Sequence, residues 1–170
     1  MIDFMILALP RTGTTWAANW LTTDTTLCLH DPLNNWHYDE LDALESSKAL
    51  GISCTGLFRF PDWVNDHPAR KVILHRPIEE INADLRRLGL PDVTKECALQ
   101  LGRIKGTHVF WRDLFDNPQP IYEFLLNRPF DQERHAELKQ IEMQPAFAGL
   151  SYNPEAVKRL ISEFQQEKQP

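Results

Sequence analysis

Apolar and polar positions alternate along this chain in short blocks, and the block lengths set strands against helices. Residues 2–9, IDFMILAL, are apolar except for Asp3, the composition that a buried parallel strand requires. From Gly13 the spacing changes, and Trp16, Ala17, Trp20 and Leu21 recur at helical intervals. Strand, tight loop and helix in that order make the first half of a βαβ unit. TTLCLH, ending at His30, predicts a second strand. Residues 38–50 read as a weakly periodic helix and GISCTGLF (51–58) as another short strand. Val72, Ile73 and Leu74 form a clearer strand core. Pro77 behind it suits the first position of a helix that places Ile78, Ile81, Leu85 and Leu88 on one face. Glu79 and Glu80 in its first turn, and Arg86 and Arg87 before Gly89, agree with the helix dipole and with a glycine stop.

A further helix is predicted over 94–104 and a strand over 107–111. The last third reads as helical. Ile121, Phe124 and Leu125 share a face, and Asp131 caps a helix running to Leu138. Asn153 and Pro154 open a final helix with Val157, Leu160, Ile161 and Phe164 inward, and the polar residues 165–170 are expected to fray. This order predicts an α/β protein with three αβα layers, a mainly parallel central sheet and a helical C-terminal third. With no repeat and no low-complexity linker, residues 1–170 are expected to form one domain.

Composition narrows the picture. A chain of 170 residues with 42% hydrophobic and 25% charged residues can bury a real core. A net charge of −6 and a pI near 5.5 disfavour a general nucleic-acid surface. Cys28, Cys54 and Cys97 are odd in number and form no CxxC pair, which argues against a zinc site or a disulfide framework and for a reducing compartment. The apolar N-terminal stretch is too short for a signal peptide or a membrane span. The expectation is a cytoplasmic protein without a membrane partner.

Candidate chemistry concentrates in ALPRTGTTW, residues 8–16. At the carboxyl end of a first parallel strand, the free N–H groups of a helix start bind phosphate or sulfate. Gly13 permits close backbone approach, Thr12, Thr14 and Thr15 add hydroxyls, and Arg11 adds charge and a fork of donors. The plain alternative is a capping turn, but the placement behind the first strand and the adjacent Arg11 favour an anion site. The nucleotide P-loop, G-x-x-x-x-G-K-[ST], is matched only in part: Ala8 replaces its first glycine and Thr14 its lysine. Without that lysine, and without an acidic magnesium partner after an apolar strand, ATP or GTP hydrolysis is disfavoured.

LPRTGTTW resembles the 5′-phosphosulfate loop of sulfotransferases, P-[KR]-[ST]-G-T-T. The resemblance implies a P-loop-type fold, 3′-phosphoadenosine 5′-phosphosulfate (PAPS) as co-substrate and no metal. It implies that Arg11, Thr12, Gly13, Thr14 and Thr15 hold the 5′-phosphate, with Arg11 also near the transferring group. Trp16, which ends the matched segment, joins these cofactor-binding residues, although its spacing puts it on the core face of the helix. VILHRPIEEINADL is similar to the family's second signature, which maps Arg76 onto an arginine that binds the 3′-phosphate. The family's accompanying serine falls near Ala83, and Asp84 beside it would repel a phosphate. HVFWRDLFDNPQPIYEFL with RPFDQERHAEL resembles a later strand and helix of the family. The chain departs from the family in its short length and in lacking an R-K-G-x-x-G segment near the C-terminus.

Sulfuryl transfer needs a base for the acceptor proton and positive groups for the charge that moves onto the bridging oxygen. CLHDP sets His30 and Asp31 at the end of the second strand, beside the loop if the strands are neighbours. Histidine is a chemically suitable base near neutral pH, and Asp31 either orients His30 or is itself the base. Alternatively, Asp31-Pro32 simply begins a turn. His75 lines the same cleft or packs as a strand residue. His37, His67, His108 and His135 sit in no ligand spacing. Trp36, Tyr38, Phe58, Phe60 and Trp63 either wall a ligand or cover the core. Three functions follow, in decreasing order of fit: a small sulfotransferase-like enzyme acting on a hydroxyl or amine of a small-molecule acceptor, a binding or regulatory protein that has lost catalysis, and a kinase.

Overall fold

The computed structural model describes residues 1–141. Their elements are β1 (Ile2–Ala8), α1 (Thr14–Leu21), β2 (Thr26–His30), β3 (Ala49–Cys54), α2 (Pro61–Asp66), β4 (Arg70–His75), α3 (Ile78–Arg87), α4 (Lys95–Gly102), β5 (Thr107–Phe110), α5 (Asp113–Asp116), α6 (Pro118–Leu126) and α7 (Gln132–Leu138). The five strands form one sheet in the order β2-β3-β1-β4-β5, and every neighbouring pair is parallel. The fold is therefore α/β as expected, with a sheet that is wholly rather than mainly parallel.

Period-two alternation in β1 divides the core between the two faces of the sheet. Phe4, Ile6 and Ala8 join α1 and α6 in one buried cluster, while Met5, Leu7 and Leu9 join α2, α3 and α4 in the other. Ile2 breaks the alternation, because the pairing register with β3 slips between Ile2 and Phe4 and returns Ile2 to the Met5 face. Register also aligns the strand ends. Leu7 pairs with Cys54, His30 with Ser53, and Ala8 with Leu74, so the loops after β1, β2, β3 and β4 open on one edge. That edge is where parallel sheets collect ligands.

Close approach across β1 and β3 depends on Gly51. A methyl group there would overlap the ring of Phe4, which is fully buried and has nowhere to move. Gly51→Ala is expected to cost about 1–3 kcal/mol by overpacking. Urea unfolding of the two proteins measures it, and equal midpoints would rule out this view of the contact.

Several expected elements differ in detail. Residues 38–50 are not a helix: a 3-10 turn covers Tyr38–Ala43, and Ala49 and Leu50 already belong to β3. Leu41 is the only buried residue of that turn, too little apolar surface to hold an α-helix. Pro77 is the N-cap of α3 rather than its first residue, and Leu88 lies past the last turn and is exposed. Phe124 faces solvent, because α6 buries Ile121, Tyr122, Leu125 and Leu126 instead. Asp131 caps α7 as expected, accepting from the Arg134 N–H at 3.0 Å. The helix expected after Asn153 and the tail 165–170 lie outside the described residues. No helix among the described residues is long and apolar enough to cross a membrane.

Candidate active site

The chain leaves β1 at Ala8 and reaches α1 through a loop that is left-handed at two points. Gly13 has φ 87°, which a residue without Cβ adopts freely, and Arg11 has φ 61°, which costs a residue with a Cβ about 1–2 kcal/mol to hold. A second arginine holds it there: Arg76 Nη1 donates to the Arg11 carbonyl at 2.5 Å. The first helical bond runs from Ala17 N–H to the Gly13 carbonyl at 2.9 Å. The N–H groups of Thr14, Thr15 and Trp16 therefore precede the α1 ladder, at its positive end.

The side chains of the loop divide by direction. Thr12 is fully buried, and its hydroxyl donates to the Pro10 carbonyl at 3.3 Å, so it shapes the turn. Thr14 Oγ1 and Thr15 Oγ1 lie 3.3 and 3.2 Å from His30 Nε2. The Ser53 hydroxyl donates to the Thr14 carbonyl at 2.9 Å and ties the helix start to β3. Arg11 carries a buried Nε with no hydrogen-bond partner among the described residues. Burial first, and then the charges of Arg76 and Arg87, push its pKa down. A guanidinium stays protonated in proteins, so this downward pressure marks a cation short of negative partners.

The Trp16 side chain points away from the loop, so only its backbone N–H remains there. Its ring is buried against Phe115, Trp20 and His135, with centroids at 4.7, 5.2 and 5.3 Å, and Nε1 donates to the Leu138 carbonyl at 3.2 Å. Helical spacing, not membership in the loop motif, decided where this side chain points.

His30 and Asp31 stand at the end of β2 and come to the loop across β3. Asp31 is also left-handed, at φ 43°. Its Oδ1 accepts from the Thr55 N–H at 2.6 Å and from the Thr55 hydroxyl at 3.0 Å. Its Oδ2 lies 3.3 Å from His30 Nε2. Asp31 thus does more than begin a turn: Thr55 orients the carboxylate, and the carboxylate faces the imidazole. Thr55 and Ser53 carry no motif, and only the pairing of β2 with β3 brings them to this place.

Arg76 lies beside the loop but is already engaged. Its Nε donates to Glu80 at 3.1 Å, Nη1 meets Asp84 at 2.8 Å, and the guanidinium sits 5.0 Å from the Trp111 ring centroid. Asp84 is shared with Arg87. The residue assigned by resemblance to a 3′-phosphate therefore faces two carboxylates and supports the loop backbone. Asn82 is taken up by both backbone groups of Val93, at 3.1 and 2.9 Å, and Ala83 is exposed.

His75 pairs with His108, Nε2 to Nδ1 at 2.7 Å, while His108 Nε2 reaches the Ile104 carbonyl at 2.8 Å. With both rings neutral, each Nε2 donates and His108 Nδ1 accepts. Burial, then His108, hold the His75 pKa below the ordinary imidazole value. Phe58 and Phe60 are buried, and Trp36, Tyr38 and Trp63 pack on the same core cluster, so the aromatic group covers the core. Cys28, Cys54 and Cys97 are free thiols; burial pushes the first two far above the usual thiol range. Among the described residues, no three His, Cys, Asp or Glu side chains lie together as metal ligands.

No family model matches the sequence, and no curated protein matches it. Among solved structures, a mouse sulfotransferase, SULT7A1, complexed with PAP, aligns over 97% of this chain and 83% of its own, with a TM-score of 0.45 and 10% identity.

Proposed function

We propose that this chain binds PAPS at the β1–α1 loop and transfers its sulfuryl group to a hydroxyl or amine of a small-molecule acceptor. The observation that carries the proposal is the buried Nε of Arg11, without a hydrogen-bond partner among the described residues, beside the α1 start and on the same edge as the His30–Asp31–Thr55 chain. An anion seated there meets the N–H groups of Thr14 to Trp16, the hydroxyls of Thr14 and Thr15 and the charge of the Arg11 guanidinium. In the reaction the bond between sulfur and the 5′-phosphate oxygen breaks, and a bond from sulfur to the acceptor oxygen or nitrogen forms. His30 takes the acceptor proton, Asp31 steadies the ring, and Arg11 balances the charge left on the departing phosphate oxygen. With its three free cysteines, the enzyme belongs in a reducing compartment such as the cytoplasm.

Binding is tested with the product nucleotide, adenosine 3′,5′-bisphosphate, by calorimetry. Saturable binding is expected, and Arg11→Ala should weaken it about 10- to 150-fold, the loss of one charge-assisted contact of ~1.5–3 kcal/mol. A folded protein that gives no heat at millimolar nucleotide would sink the proposal.

The pairing of Arg76 with Glu80 and Asp84 favours a second reading, a binding or regulatory protein that keeps the loop without turnover. Nucleotide binding without sulfation across a broad panel of hydroxyl and amine acceptors would select it.

A further inference from the structure

We infer that His30 is part of the anion cradle itself, and that a doubly charged anion entering the β1–α1 loop takes up a proton on this ring. The inference rests on the anion site proposed above. One nitrogen, His30 Nε2, meets three oxygens: Thr14 Oγ1 at 3.3 Å, Thr15 Oγ1 at 3.2 Å and Asp31 Oδ2 at 3.3 Å. Its protonation state sets the direction of the threonine hydroxyls. A bare Nε2 accepts a hydroxyl proton, which turns that threonine's donor away from the loop and leaves a lone pair toward the ligand. An Nε2 that carries a proton donates to Asp31 or to a threonine oxygen, and both hydroxyls are then free to donate to the anion.

Charge acts in the same direction. An anion bonded to either hydroxyl lies within about 6 Å of the ring nitrogen, the sum of two hydrogen-bond lengths. An opposite charge at that range favours the imidazolium. The other charged and titratable groups around the ring are Asp31, Arg11 and Cys54. Asp31 is committed to the Thr55 N–H and hydroxyl. Arg11, on the loop, has Arg76 and Arg87 as its charged neighbours. Cys54, at the end of β3, is a buried thiol held neutral, and Ser53 and Thr55 contribute only hydroxyls. His30 is thus the group that changes state when the anion arrives. A proton taken up with the anion must leave the ring before it can act as the base, so transfer should have an alkaline optimum.

Inorganic sulfate is the probe, because it remains a dianion throughout this range. Calorimetry is run from pH 5.5 to 8 in paired buffers of low and high ionisation enthalpy, on the unmodified chain and on His30→Gln, which keeps a donor but does not titrate. Expected are proton uptake near neutral pH, an affinity at least tenfold weaker at pH 8 than at pH 5.5, and loss of both effects in the variant. Sulfate binding without proton uptake, or with the same pH slope in His30→Gln, overturns the inference and leaves the loop site standing. No sulfate binding to the folded chain at any pH overturns the inference and the anion site together.

Discussion

For the proposed reaction, His30→Ala is expected to lower the rate of sulfuryl transfer by about 10²- to 10⁴-fold, the range that a positioned general base contributes. The expectation follows from three contacts. His30 stands at the mouth of the loop with its Nε2 against the Thr14 and Thr15 hydroxyls, and Asp31 faces the same nitrogen at 3.3 Å. Asp31 is itself steadied by Thr55, so the ring has both a charge partner and a fixed approach. Nucleotide affinity should respond differently. At pH 8, the weak-binding end of the range set out above, the variant should bind adenosine 3′,5′-bisphosphate within about threefold of the unmodified chain. This split between rate and binding separates a base from a residue that merely holds the loop. Asp31→Asn keeps the shape and the acceptor for Thr55 but removes the charge, and it should fall between the two. Unchanged turnover in His30→Ala would remove the ring from the chemistry and leave the acceptor proton to another group.

The parts of this site that could be read from the sequence are those written in consecutive residues. The loop was legible because an apolar run, a glycine and a helical repeat meet within residues 2–21. The adjacency of His30 to that loop was conditional on β2 and β1 lying near each other. In the structure they are separated by β3, and the contact forms because the three strand ends are in register. Thr55 and Ser53 could not be found this way, since pairing between strands is a tertiary property. Arg76 is a different case. Asp84 beside the expected serine is hostile to a phosphate, yet Arg76 and Glu80 are four apart, the interval at which side chains meet along a helix. That spacing predicts the Arg76–Glu80 pair, whereas Arg76 stands before the N-cap of α3 and its contact with Asp84, eight positions on, is a product of the fold. Residues 38–50 failed for the opposite reason. Their apolar positions are too sparse to set a period, and β3 claimed Ala49 and Leu50 through pairing with β2 and β1.

Trp20→Ala should cost about 3–5 kcal/mol of folding stability, a large share of the ~5–15 kcal/mol that a domain has. Trp20 is fully buried, with centroids 5.2 Å from Trp16, 5.3 Å from Tyr122, 5.4 Å from His135 and 6.4 Å from Phe130. It is therefore the wedge that joins α1 to α6 and α7, and truncation leaves a cavity that three elements must close. The indole Nε1 has no hydrogen-bond partner among the described residues. Its loss carries no polar penalty, so Trp20→Phe should cost far less, by volume alone. Urea unfolding of both variants tests this directly, and a loss below about 1 kcal/mol for the alanine would refute the wedge. The same experiment reaches the site, because the first turn of α1 supplies the N–H groups and hydroxyls of the anion loop. A helix loosened at Trp20 should release its first turn as well. Nucleotide affinity should then fall in Trp20→Ala and hold in Trp20→Phe, although neither substitution touches the ligand.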